Sequence, residues 1–148
     1  HEIDWLLWCF GPVVRDLARA LTASLDPADP RDYGLITLRH ASGAVSHVEA
    51  CWADPATGYT AFEIAGDAGL LAHDSRRTHT LTRSTAAGSS HAAPLVPSDD
   101  PYVRQAANVA AAVRGDAPLC VTAVQGRDAI AVAEAAALSA RTGKAVTL

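Results

Sequence analysis

YGLITLRHASGAVSHVEACWA, Tyr33 to Ala53, is the stretch that decides the fold. YGLITLRH and AVSHVEACWA each have period-two character, and Ala41-Ser42-Gly43 between them is the short, glycine-bearing link that closes an antiparallel hairpin. An antiparallel pair in the first half of the chain makes a mainly antiparallel sheet the working frame. Upstream, VVRDLARAL (Val13–Leu21) reads as a further strand, and LDPADPRD (Leu25–Asp32) gathers aspartates and prolines into a turn-rich connection. Ahead of both, Ile3, Leu6, Leu7 and Phe10 follow helical spacing, and Gly11-Pro12 ends that helix.

Downstream, YTAFEIAG and GLLAHDS form a second strand pair around Gly66-Asp67-Ala68-Gly69, and THTLTRS adds a strand. From Thr85 to Pro101 the residues are small, polar and proline-bearing, too poor in large apolar groups to order themselves by burial, which predicts a mobile loop. Asp99 or Asp100 then caps a helix whose first-turn proline is Pro101. Val103, Ala106, Ala110 and Val113 share a face of it, and Gly115 ends it. Thr122 and Gln125 have capping-box spacing ahead of the alanine-rich DAIAVAEAAALSA, Arg141 and Gly143 suit its C-terminus, and KAVTL closes as a short strand. Helix, strands, then two helices predict an α+β domain: an open, mainly antiparallel sheet with helices packed on one face.

A chain of 148 residues with 49% hydrophobic content supports one domain with a core. The formal charge of -4 gives no basic footprint, so neither nucleic acid nor an anionic membrane surface is expected as a partner. Cys9, Cys51 and Cys120 form no CxxC pair and suit free thiols in a reducing compartment, so the chain reads as cytoplasmic. It opens on His1 inside a helix-like run and contains no methionine, which reads as a piece cut from a longer protein.

His40, His47, Glu49 and Cys51 raise the question of a metal site, since with ASG as the turn they project from one side of the hairpin. They lack ligand-type spacing, and the expectation is a polar sheet face and no metal. Trp5, Trp8 and Trp52 are candidates to floor a sugar site by stacking, with core burial expected for at least two. Arg76, Arg77 and Arg83 with His73 and His79 offer charge for a phosphate or an acidic sugar. The expectation is instead a charged edge strand that discourages sheet-to-sheet pairing.

HEIDWLLWCFG, ASGAVSHVEACWADP, FEIAGDAGLLAHD and PLCVTAVQGRDAIAVAEAAALSARTGKAVTL, in that order, resemble the C-terminal domain of the Gfo/Idh/MocA oxidoreductases, the family of glucose-fructose oxidoreductase and inositol dehydrogenase. The resemblance spans essentially the whole chain, residues 1–148 as a single substrate-binding and oligomerisation domain, and implies a glyceraldehyde-3-phosphate dehydrogenase-like C-terminal fold. It also implies an N-terminal Rossmann domain, absent from this chain, that binds NAD or NADP. No G-x-G-x-x-G between a strand and a helix occurs here, so this domain alone is expected to bind no cofactor and to be inactive.

His1 matches the histidine of the family's D-x-x-x-H motif, which implies the catalytic proton acceptor; imidazole, with an ordinary pKa of ~6.5, suits that task. Asp4, three residues on, shares a helix face with His1 and either holds a substrate hydroxyl or is a first-turn acid favoured by the helix dipole. Tyr59 stands where inositol dehydrogenases have a tyrosine lining the sugar pocket. The implied substrate is a sugar, cyclitol or related polyol, and the implied partner a second copy met through the sheet face. The rival reading is a non-enzymatic module that pairs through that face.

Overall fold

The computed structural model describes residues 1–22, 32–52, 58–93 and 100–148. In chain order the elements are α1 (Glu2–Phe10), β1 (Val13–Thr22), β2 (Asp32–His40), β3 (Val45–Cys51), β4 (Ala61–Gly66), β5 (Gly69–Asp74), β6 (Leu81–Thr85), β7 (Gly88–Ala92), α2 (Pro101–Arg114), α3 (Ala123–Thr142) and β8 (Val146–Thr147). The fold is α+β, and every strand pair among the described residues is antiparallel. The strands divide between two four-stranded sheets, β3-β2-β1-β8 and β4-β5-β6-β7. Two compact units contain them, His1–Asp54 with Ala111–Leu148, and Pro55–Ala110.

In the first unit α1 and α3 cover one face of the sheet. Leu6, Val13, Leu38 and Val132 form the buried cluster, with Ile3, Trp5, Leu7, Phe10, Ile36 and Val48 packed around it. The apolar spacing read from the sequence is thus the packed face of α1. Gly11, at φ 81°, ends that helix and donates its N–H to the Leu7 carbonyl at 2.9 Å. In α3 the buried positions are Val132, Ala135, Ala136 and Ser139, and their small side chains let the helix lie close on β1. That closeness has a use. The β1–β8 ladder spans only Arg15 and Asp16, and the Ala18 N–H beyond it donates to Ser139 Oγ at 2.9 Å. The Ser139 hydroxyl in turn donates to the Lys144 carbonyl at 2.6 Å. The capping box between Thr122 and Gln125 is formed, and Gly143 ends the helix in the left-handed region.

The expected hairpin is present, closed by His40 N–H donating to the Ala44 carbonyl at 2.9 Å. Its pairing places Leu38 opposite Ser46 and Thr37 opposite His47. Cross-strand partners share a face, so His40, Leu38 and Ser46 look inward, whereas His47, Glu49 and Cys51 look outward.

In the second unit β4 and β5 pair as expected around the Gly66–Gly69 turn, and β6 adds to β5. The mobile loop expected from Thr85 to Pro101 is corrected over Gly88–Ala92, which forms β7 against β6. These residues bury little, but burial is not what holds them. The backbone ladder is supplemented at directly opposed positions, with the Ser89 hydroxyl donating to Ser84 Oγ at 3.0 Å and Thr82 Oγ1 bonded to His91 Nδ1 at 3.1 Å. Residues 94–99, and all of the Leu25–Asp32 connection except Asp32 at the start of β2, lie outside the described residues. Asp100 is the residue that receives the start of α2, accepting the Tyr102 N–H at 2.7 Å.

Candidate functional site

In the first unit α1 and α3 wall a cavity of about 400 Å³. Asp4 and Trp8 come from α1, Gln125, Asp128 and Val132 from α3, and Leu148 from the chain end beyond β8. The α3 residues stand at i, i+3 and i+7, one helical stripe, opposite the i, i+4 pair on α1. Apolar walls with a few convergent polar groups are the composition that small-molecule sites ordinarily have. The far end of α1 is held against the hairpin by His40, whose Nδ1 donates to the Gly11 carbonyl at 2.8 Å while Nε2 is hydrogen-bonded to Ser46 Oγ at 2.7 Å. A buried imidazole with both nitrogens bonded is a brace for the helix that carries Asp4.

His1 is the N-cap of α1. Its side chain makes no capping hydrogen bond, it is exposed, and it is not among the cavity's lining residues. Asp4 lies in the first turn and does line the cavity. Tyr59 belongs to the second unit, two residues ahead of β4, and is 46% exposed. The Arg76 guanidinium lies over its ring at 3.8 Å from the centroid. The same guanidinium grips Asp74 with two bonds of 2.9 Å, Nε to Oδ1 and Nη2 to Oδ2. These hydrogen bonds hold the Asp74 carboxyl well below the usual carboxylate range.

Three sequence expectations are corrected. Trp8 and Trp52 are each 80% exposed and only Trp5 packs on the core; on α1, Ile3, Leu6, Leu7 and Phe10 already fill the buried side and leave Trp8 outside it. His40 does not share a face with His47, Glu49 and Cys51, since the turn puts them on opposite parities. Among the described residues no three histidine, cysteine or acidic side chains gather as a metal would require. The arginine-rich stretch is not an edge: β5 and β6 are the two inner strands of their sheet, and Arg76 and Arg77 sit in their connection, both facing Asp74.

Sequence reading missed Gln125 and Asp128 as cavity residues, although their spacing from Val132 was visible. It also missed Asp16, which is 0% exposed and has no hydrogen-bond partner for either carboxylate oxygen among the described residues. Burial pushes its pKa up to about 6.

All strand pairs of the described residues are antiparallel, so no βαβ unit exists among them to aim a glycine turn and a helix N-terminus at a pyrophosphate. These residues do not fit the phosphate cradle of NAD or NADP. The sequence model of the oxidoreductase family's C-terminal alpha/beta domain, of Gfo/Idh/MocA type, matches residues 1–148. The chain belongs to the Gfo/Idh/MocA oxidoreductase family.

Solved structures agree with that membership at the level of the fold. The Gfo/Idh/MocA domain superposes on the WlbA dehydrogenase from Bordetella pertussis, solved with NADH and UDP-GlcNAcA, with TM-score 0.77 and 23% identity over 100% of this chain and 42% of that one. For the aldose-aldose oxidoreductase from Caulobacter crescentus, complexed with glycerol, the TM-score is 0.79 and the identity 16%, over 99% and 45% of the two chains. An oxidoreductase from Agrobacterium radiobacter in complex with NAD+, L-tartaric acid and magnesium gives 0.76 and 19%, over 99% and 46%. The chain thus spans about half the length of the structures it matches. No curated protein matches it significantly. Among the described residues no helix is long and apolar enough to cross a membrane.

Proposed function

We propose that residues 1–148 act as one substrate-binding and oligomerisation domain of an NAD(P)-dependent oxidoreductase that works on a sugar, cyclitol or related polyol. A Rossmann domain encoded outside this sequence binds the nucleotide, and this domain is inactive without it. The observation that carries the reading is the family match over the whole chain, joined to solved neighbours about twice as long whose complexes contain NAD+ or NADH.

The nucleotide supplies hydride exchange; the part that falls to this chain is the proton. His1 accepts the proton of the substrate hydroxyl as the carbon beside it is oxidised. Its exposure and its freedom from any capping bond support that role, because a histidine spent as a cap would not be available. Asp4 holds a substrate hydroxyl from the wall of the α1–α3 cavity. Tyr59 contributes to substrate binding. Leu17, Leu21, Leu35 and Val45 are exposed on the outward face of the first sheet, which supports a homo-oligomer formed through that face. Three free cysteines support a cytoplasmic location.

The test is turnover by the full-length protein with NAD+ or NADP+ against myo-inositol, D-glucose, glycerol and related polyols, followed by nicotinamide absorbance. Oxidation of at least one polyol is expected, and His1→Asn should lower kcat by about 10²–10⁴-fold. A full-length protein that oxidises no polyol, or a His1→Asn variant with unchanged kcat, overturns the reading.

A further inference from the structure

Tyr59 is half-exposed and sits outside any strand, two residues ahead of β4. Its neighbours are unusually well fixed. Asp74, the last residue of β5, accepts from the backbone N–H of Arg76 at 3.0 Å as well as from both ends of its guanidinium fork. The Arg77 Nε lies 3.6 Å from Asp74 Oδ2, and the Arg77 N–H donates to the Asp74 carbonyl at 3.2 Å. Two further bonds tie the turn to the residue after Tyr59: Thr60 N–H donates to Ser75 Oγ at 3.0 Å, and Ser75 N–H donates to the Thr60 carbonyl at 3.0 Å. A guanidinium held at two points has its plane set, and a plane that is set can hold a ring stacked on it.

We propose that Arg76, locked by Asp74, is the positioning residue for Tyr59, and that this three-residue stack sets the affinity for substrate. The inference rests on the reading of Tyr59 as a substrate-binding residue and deepens it by naming what holds the ring. Ordering a mobile side chain at the moment of binding weakens binding, so a ring already held by Arg76 spares that cost. The ring face under the guanidinium is occupied, while 46% of the residue remains exposed to meet a ligand. Lysine cannot replace Arg76 here, because an ammonium is a point charge with no plane to stack and no fork for the carboxylate.

The experiment is a double-mutant cycle in the full-length enzyme, measuring KM and kcat for whichever of myo-inositol, D-glucose or glycerol is turned over fastest. Arg76→Ala and Arg76→Lys are each expected to raise KM about three- to tenfold with kcat within about twofold, and to add nothing further in a Tyr59→Ala background. Asp74→Asn keeps the amide oxygen that accepts the Arg76 N–H, so the turn survives while the ionic fork is lost. It should give a smaller KM increase, and it carries the test if the Arg76 variants do not fold. A Tyr59→Ala effect without an Arg76 or Asp74 effect overturns the positioning role and leaves Tyr59 in its place, as do Arg76 and Tyr59 effects that simply add. Should Tyr59→Ala leave KM unchanged, the reading of Tyr59 falls and the positioning role falls with it. A further readout does not depend on turnover: in this chain the Arg76 Nε–H resonance should be displaced upfield by the Tyr59 ring current and return in Tyr59→Leu. An Nε–H resonance unaffected by Tyr59→Leu overturns the stack itself.

Discussion

Asp16 carries the largest unbalanced burden on any single residue described. Its carboxylate is fully buried between sheet and helix with neither oxygen bonded among the described residues, so ionising it in the folded state is costly. The folded pKa of about 6 lies above the ~3.9 of an unfolded aspartate, so between those values the folded chain binds more protons than the unfolded one. Stability is therefore fully retained below about pH 4 and falls as the pH rises towards about 6, by roughly 2–3 kcal/mol, then levels off. Asp16→Val should raise the urea-unfolding free energy at pH 7.5 by that order, and the gain should shrink to near zero at pH 4. An equal gain at both pH values would mean the ionised carboxylate is not the cause. Little of this was legible beforehand. VVRDLARAL alternates imperfectly and does not say which face its aspartate takes; the register shift between Val13 and Arg15 sets it.

At the scale of elements, the ends of the helices were the most readable features, since capping is decided within a few residues. Thr122, Gln125, Gly143, Gly11 and Gly115 all stand where their chemistry placed them. The role of Ser139 was not readable, because its partners are Ala18, far off in the chain, and Lys144 beyond the helix end. Ser139→Ala should leave a buried N–H and a carbonyl unbonded and cost about 2–3 kcal/mol in urea unfolding, well beyond the effect of Ser→Ala on an exposed helix surface. In the β4–β5 hairpin Gly69 has φ 141°, and an added Cβ would run into the Ser84 carbonyl oxygen of β6. Gly69→Ala is expected to destabilise by about 2 kcal/mol or more, read as a lower thermal midpoint, whereas Gly58→Ala, with open space around it, should not. The strand β7 escaped prediction for the opposite reason: its composition carries no apolar signal, and its order comes from a ladder that only a neighbouring strand supplies.

For the whole chain, the decisive absence is that of a parallel strand pair among the described residues. Isothermal titration of the 148-residue chain with NADH or NADPH is therefore expected to show no saturable micromolar binding, and the full-length protein to bind one of them. Saturable binding by this chain alone would place a nucleotide site where no pyrophosphate cradle is described.

By itself the sequence determined the order of the elements other than β7, the α+β class, the antiparallel sense of the strands and the family. Those follow from turn glycines, caps, hydrophobic period and motif order, all of which act over short spans of chain. Only the tertiary structure decided that His40 faces inward away from His47, that Asp16 is buried without a partner among the described residues, that α1 and α3 line a cavity beside Asp4, and that Arg76 lies on Tyr59. Each of these depends on strand parity across a turn or a register shift, or on contacts between residues distant in the chain. No local rule sums to them.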